Sequence, residues 1–473
     1  MMHARPDNSG VPSGLLAVTL VGGVGQLFLG AGFTPHKAIL PLGLAVSVAV
    51  ARPWRRWRPS RESSSPAAWL LAAWIAASAV AIAWGCVATT DRSWDGFATW
   101  SLTARHLSAG ETLASPYFAD ASVFHYVRGY PLLQPVLLQQ CSEWLGGVWG
   151  RLWFVFAWLL LLRGVAGATR AGGGHTRTVR FAVAGAALTP MFLEPGGGSA
   201  ESGFADLLVA AVTVYGAQAT LCNGRWIALC VGLLLPVTKN EGLLHLSLWI
   251  ATSASVGHWR SALGLVLGGA ASLAWWLPLQ QGLIHPANPA TFSFAALSPI
   301  LALLAAVTAG AAIARFGARA LVLLMAVPLA AACLLPGSAL REPGSWATGL
   351  QLDWTALPQV TGELVAQVFD IKRFGATFLL LAAASIYELR RRRQTADVPV
   401  GGQALAWNVA IVAAAIAGFM LVVPLASRAL FIREGIPRYL GQTLGVAWAS
   451  IGILLSAWIP QPEHCPDARR VAT

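Results

Sequence analysis

The sequence predicts an all-α polytopic membrane protein with about 12–14 transmembrane helices. Three observations predict it. Hydrophobic residues fill 56% of the 473 positions. Charged residues fill only 11%, against roughly 25% in soluble domains, which is too little polar surface to cover a water-soluble globule. Finally, apolar runs near spanning length recur along the whole chain, so the division into soluble domains of ~150 residues that length alone suggests does not apply.

The runs fall at about 13–33, 38–51, 66–88, 149–167, 179–193, 204–222, 226–238, 242–257, 261–279, 297–314, 319–336, 374–388, 405–425 and 439–459. Those at 38–51, 179–193 and 226–238 are short for a crossing, which leaves tilted or re-entrant segments open. The first run is followed by more membrane, so it reads as a retained anchor and not a cleaved leader. The pattern divides the chain into 1–65 (two N-terminal helices and a basic loop), 66–296 (a module containing the loop 89–148) and 297–473 (C-terminal helices with the loop 337–373).

The net charge of +12 comes from bases placed between apolar runs. Arg52, Arg55, Arg56, Arg58 and Arg61 follow the second run, Arg170, Arg177 and Arg180 the fourth, Arg315 and Arg319 the tenth, Arg390 to Arg393 the twelfth, and Arg469 and Arg470 the last. All fall on one face if each run crosses once from a cytoplasmic N-terminus, which is the positive-inside pattern and argues against nucleic acid as a partner. The other face then carries 89–148, 280–296 and 337–373. The six cysteines show no metal-ligand spacing, and most behave as small hydrophobes inside apolar runs; Cys86 and Cys141 flank one loop, and their pairing is left open.

Within that first outer loop, Asp91-Arg92-Ser93-Trp94-Asp95 follows directly on the third run. Two carboxylates four residues apart share a face of a helical turn, and Trp94 and Trp100 suit the headgroup level. A carboxylate there can act as general base on an acceptor hydroxyl, or Asp91 and Asp95 can hold a divalent cation. The plainer reading is that Asp95 caps a short helix. Trp100, Leu102, Ala104 and Leu107 suggest a helix lying in the interface. Farther on, His125, Tyr126, Arg128 and Tyr130 are polar groups that suit a sugar or a phosphate, while Pro131 and Pro135 imply a bent, re-entrant entry. Interfacial Tyr and His are the ordinary alternative.

Glu201 belongs to the glycine-rich stretch 196–203, and Asp206 opens the sixth run, where a carboxylate is costly without a partner. The sharpest signal is Thr238-Lys239-Asn240-Glu241-Gly242 between two apolar runs. Charges so placed line a cavity, pair with each other, or reach the surface in a hairpin. Lys239 suits a lipid phosphate. Arg428, Arg433, Glu434, Arg438 and Tyr439 break the positive-inside trend, and so does the pair Lys372-Arg373; an anionic ligand or snorkelling to outer headgroups accounts for such a reversal. No Ser/His/Asp order, zinc spacing or P-loop is present, which argues against a protease, a zinc hydrolase and an ATP-driven pump.

Trp94-Asp95-Gly96 with Trp100, Tyr130-Pro131-Leu132-Leu133, Gly203-Phe204-Ala205-Asp206 and Thr238-Lys239-Asn240-Glu241-Gly242 occur in that order, with Arg438-Tyr439-Leu440 as a weaker fifth element. In this the chain resembles the GT-C class of membrane glycosyltransferases, especially bacterial relatives of the protein O-mannosyltransferase and aminoarabinose transferase group. The likeness covers about residues 85–245. It implies an inverting transferase in the bacterial inner membrane, working on the periplasmic or extracellular face with a polyprenyl-phosphate-linked sugar donor and a glycan, lipid or protein acceptor. It maps the catalytic carboxylate to Asp95 with Asp91 as helper, and lipid-phosphate contacts to Lys239 and Arg438. The chain departs from the pattern in having two extra runs before the catalytic loop and a single Trp94-Asp95 acidic position, which leaves the metal requirement open. Two rival readings remain: a transporter or flippase for a lipid-linked or anionic substrate, disfavoured by the lack of a visible repeat, and a polysaccharide polymerase or ligase.

Overall fold

The computed structural model describes residues 11–51, 65–88, 96–120, 123, 130–193, 205–284, 354–392, 400–422, 435–456 and 458. These residues are helical with no strand among them, as the sequence predicts for a polytopic membrane protein. Helices are the economical answer in lipid, because they satisfy every backbone N–H and C=O within the segment. Four of them are long and apolar enough to cross a membrane: Ser13–Gly30, Pro66–Ala88, Gly147–Ala171 and Trp259–Gln280. Shorter apolar helices lie among them. The runs 297–314 and 319–336 lie outside the described residues.

In chain order the elements begin with α1 (Ser13–Gly30), α2 (Ile39–Ala51) and α3 (Pro66–Ala88). A π-helical turn (Gly96–Ser101) leads into α4 (Leu102–Ser108), followed by α5 (Pro116–Ala119) and α6 (Leu133–Leu145). A 3-10 turn (Gly147–Leu152) enters α7 (Trp153–Ala171), and α8 (Thr176–Leu188), α9 (Pro190–Leu193), α10 (Asp206–Cys222), α11 (Arg225–Thr238), α12 (Gly242–Ser255) and α13 (Trp259–Ile284) complete the central bundle. The later elements are α14 (Leu357–Val368), α15 (Ile371–Phe374), α16 (Thr377–Arg392), α17 (Val400–Val422), α18 (Ile436–Gly441) and α19 (Leu444–Ser456).

α10 is the axis of the bundle. It is apolar on every side, and nearly all its residues are buried, so it must be surrounded. α7, α11, α12 and α19 pack around it. α19 is likewise buried along its length, which brings the C-terminal part of the chain against α7, α8 and α10. α11 and α13 pack most intimately, because Gly264 and Gly268 form a small-xxx-small stripe against α11. A Cβ at Gly268 would strike the Leu229 carbonyl and the backbone at Leu233, so neither helix can yield by turning a side chain. Gly268→Leu is therefore expected to cost about 1–3 kcal/mol through overpacking, read as a fall in the thermal midpoint of the purified chain; an unchanged midpoint would contradict this close approach.

Between Pro131 and Pro135 the chain bends at Leu132 and then starts a regular helix: Pro135 is the third residue of α6, in the first turn, where its missing N–H has no helical acceptor to lose. The helix carrying Trp100, Ala104 and Leu107 does form, and its apolar side is buried against α6. Burial pushes the Cys141 thiol up to about 12.

Candidate functional site

α10, α11, α12 and α18 meet at one end of the bundle and bury a charged cluster there. α11 carries Pro236 in its last turn, and the chain then breaks at Lys239, whose backbone is extended, before α12 begins at Gly242. The turn is closed by Gly242 N–H donating to the Lys239 carbonyl at 2.8 Å. Gly242 lies so close to the Leu235 carbonyl that a Cβ would overlap it, so only glycine permits this return of the chain. The break turns Lys239 inward, where it is 2% exposed.

Its partner is Asp206, in the first turn of α10 and also 2% exposed. Lys239 Nζ donates to Asp206 Oδ1 at 2.8 Å. Gln442 Nε2 donates to the same oxygen, and Arg438 Nε donates to Oδ2 at 3.1 Å. Glu241 Oε1 stands 3.4 Å from Lys239 Nζ, and the ammonium lies 5.5 Å from the centre of the Tyr439 ring. Helix ends add to the field: a carboxylate is favoured at the N-terminus of α10, and an ammonium at the C-terminus of α11.

Because a carboxylate only accepts, Gln442 must turn its amide N–H₂ to Asp206 and its oxygen away. That oxygen is 2.9 Å from His245 Nε2, so the proton of His245 sits on Nε2. His245 Nδ1 and Glu241 Oε2 are buried with no hydrogen-bond partner among the described residues. The site therefore has a saturated part, centred on Asp206, and two polar atoms turned elsewhere.

The candidate residues divide into three groups. Asp206, Lys239, Glu241 and Arg438 converge here from three separate places in the chain. Tyr130 approaches the same cluster within electrostatic range of Tyr439, and its ring meets Trp100 edge-on at 5.4 Å. Asp91, Trp94, Asp95, His125, Tyr126, Arg128, Glu201, Arg428, Arg433 and Glu434 lie outside the described residues. Lys372 and Arg373 are elsewhere: Asp370 caps their helix, accepting from both backbone N–H groups, and pairs with Arg373 Nε at 3.6 Å. Sequence reasoning missed His245 and Gln442. Each is four residues beyond a flagged charge, Glu241 and Arg438, and so on the same helical face; that spacing was the available signal.

The Lys239–Glu241 pair anticipated from sequence exists, but the shorter bond goes to Asp206. A plain surface hairpin at 238–242 is excluded by the burial of Lys239. Among the described residues, no group of three or more His, Cys, Asp or Glu side chains could hold a metal ion.

No protein-family model matches the chain, and no curated protein matches it. Two solved structures are similar to it. One is the crystal structure of the Archaeoglobus fulgidus oligosaccharyltransferase in complex with Zn and sulfate, at 14% identity and a TM-score of 0.44, covering 80% of this chain and 48% of that one. The other is the archaeal oligosaccharyltransferase AglB from Archaeoglobus fulgidus in complex with an inhibitory peptide and a dolichol-phosphate, at 13% identity and a TM-score of 0.45, covering 81% of this chain and 50% of that one. The chain spans about half the length of both.

Proposed function

We propose that the chain is a GT-C-type membrane glycosyltransferase that moves a sugar from a polyprenyl-phosphate-linked donor to an acceptor at the outer face of the membrane, with inversion. The observation that carries this reading is the buried meeting of Asp206, Lys239 and Arg438, with Tyr130 within electrostatic range of the neighbouring Tyr439. Buried charge inside a largely apolar bundle is expensive and is kept for a task.

In this reading Asp206 is a positioning residue. It holds the ammonium of Lys239 and the guanidinium of Arg438 in fixed places, so that they need not reorganise as the lipid phosphate leaves with its charge. Tyr130 and Glu241 are proposed to contact the sugar. Asp95 takes the acceptor proton on the opposite side of the sugar from the departing phosphate, as inversion requires. The π-helical turn that begins immediately after Asp95 supports this placement, since such turns recur at functional sites. Asp91 and Asp95 are the residues that would hold a divalent cation if the reaction uses one. Trp94, His125, Tyr126, Arg128, Glu201 and Arg433 are proposed to complete the donor and acceptor surfaces.

The buried ion network also suits a transporter or flippase, and one experiment separates the readings. The full chain, purified in detergent, is mixed with labelled polyprenyl-phosphate sugar and candidate acceptors. A transferase consumes donor without two compartments; a transporter leaves it intact. Lys239→Ala is expected to raise the KM for donor at least tenfold, with a smaller proportional change at saturation. Unchanged donor affinity in a folded Lys239→Ala chain would refute the phosphate role.

A further inference from the structure

α7 and α10 run side by side in the same direction: Gly164 meets Val214 and Tyr215, and Gly167 meets Gln218. Gln218 is twelve residues beyond Asp206, so it lies about 18 Å down the helix axis at 1.5 Å per residue, toward the opposite end of the bundle. There the surface of α7 presents Arg163 and Arg170, seven residues apart and on one face. Both belong to a helix long and apolar enough to cross a membrane. An arginine on a membrane helix calls for a counter-charge. Neither arginine has an ion-pair partner among the described residues.

Between these arginines the structure has a cavity of about 350 Å³, lined by Pro12, Arg163, Arg170, Gln218 and Cys222. Gly167 forms its floor, because any side chain there would overlap the Gln218 amide. Gln218 Oε1 is buried without a hydrogen-bond partner among the described residues, and so is the hydroxyl of the fully buried Tyr215 three residues earlier on α10. The pocket thus offers two guanidinium donors at its mouth and one unused acceptor inside.

We propose that this pocket binds the phosphodiester head group of an anionic phospholipid, in the leaflet opposite the Asp206 cluster. Guanidinium forks match phosphate oxygens in pairs, and a head-group hydroxyl donates to Gln218 Oε1. Basic pockets between membrane helices recognise anionic head groups by this chemistry. Snorkelling alone leaves the arginines in general contact with headgroups, with no selectivity among them and no part for Gln218. A free phosphate ester shares the same chemistry but lacks the acyl chains that hold a lipid beside α7.

The test uses the full chain in detergent and follows its thermal midpoint during titration with dioleoyl phosphatidylglycerol, dioleoyl phosphatidylcholine or glycerol phosphate. Phosphatidylglycerol is expected to raise the midpoint by several degrees, with no comparable shift from the other two. R163Q/R170Q should lose that shift, while R177Q, a basic change on the neighbouring helix, should keep it. Equal shifts from both lipids, or an undiminished shift in R163Q/R170Q, would overturn the site. An equal shift from glycerol phosphate would overturn the lipid as its occupant. Should R163Q/R170Q fail to fold, native mass spectrometry of R170Q replaces it. At least fivefold less retained phosphatidylglycerol per chain is expected, and undiminished retention sinks the proposal.

Discussion

Asp206→Ala is expected to destabilise the folded chain by about 3–5 kcal/mol, because it removes the nearest carboxylate from Lys239 and the Oδ2 acceptor from Arg438 where water has little access. Lys239 is 2% exposed and Arg438 17%, and both donate to this one carboxylate. Gln442 loses its acceptor in the same step, and with it the orientation that fixes the proton on His245. Buried ion pairs have an asymmetric energetics: the intact pair contributes little net stability, whereas a broken pair leaves a charge desolvated and alone. D206A/K239M should therefore be more stable than D206A, since the second substitution removes an ammonium that the first left with only the longer contact to Glu241. Thermal denaturation of both variants in one detergent measures the difference. If D206A/K239M is the less stable of the two, the cluster is not held together in this way.

Asp95→Asn should remove sugar transfer by about 10²–10⁴-fold while leaving helix content and membrane insertion unchanged. Asparagine preserves size and hydrogen bonding but cannot take a proton, so the change addresses the base and little else. Full transfer by the asparagine variant would remove Asp95 from that role. The two substitutions also test different parts of the proposal. Loss of transfer in Asp95→Asn with normal donor binding assigns the carboxylate to the acceptor side. Weakened donor use in Lys239→Ala assigns the cation to the leaving phosphate.

The helical membrane class was readable from the sequence because it is a property of composition and run length, and both act residue by residue. Most helix positions were readable too: α1, α2, α3, α10, α11 and α12 lie within a few residues of the apolar runs. Where α6 begins relative to Pro135 was not readable, because proline's effect depends on position. Proline breaks a helix interior but is harmless in a first turn, and the sequence does not say where the turn begins. What covers the 102–107 helix was unreadable for a related reason. Its periodicity shows that one side is apolar, and leaves open whether lipid or protein covers it.

For the site, the sequence singled out Asp206, Lys239, Glu241 and Arg438 one at a time, each as a charge where charge is costly. It offered Lys239 and Glu241 as a pair because they are neighbours along the chain. That Lys239 reaches across 33 residues to Asp206, and that Arg438 reaches across 232 to the other oxygen, was decided only by how α10, α11 and α18 pack. The same holds for His245 and Gln442, which are unremarkable in sequence and joined in space. The physical reason is that a single residue's cost of burial is local and can be read from its neighbours, whereas the partner that offsets the cost is chosen by tertiary packing.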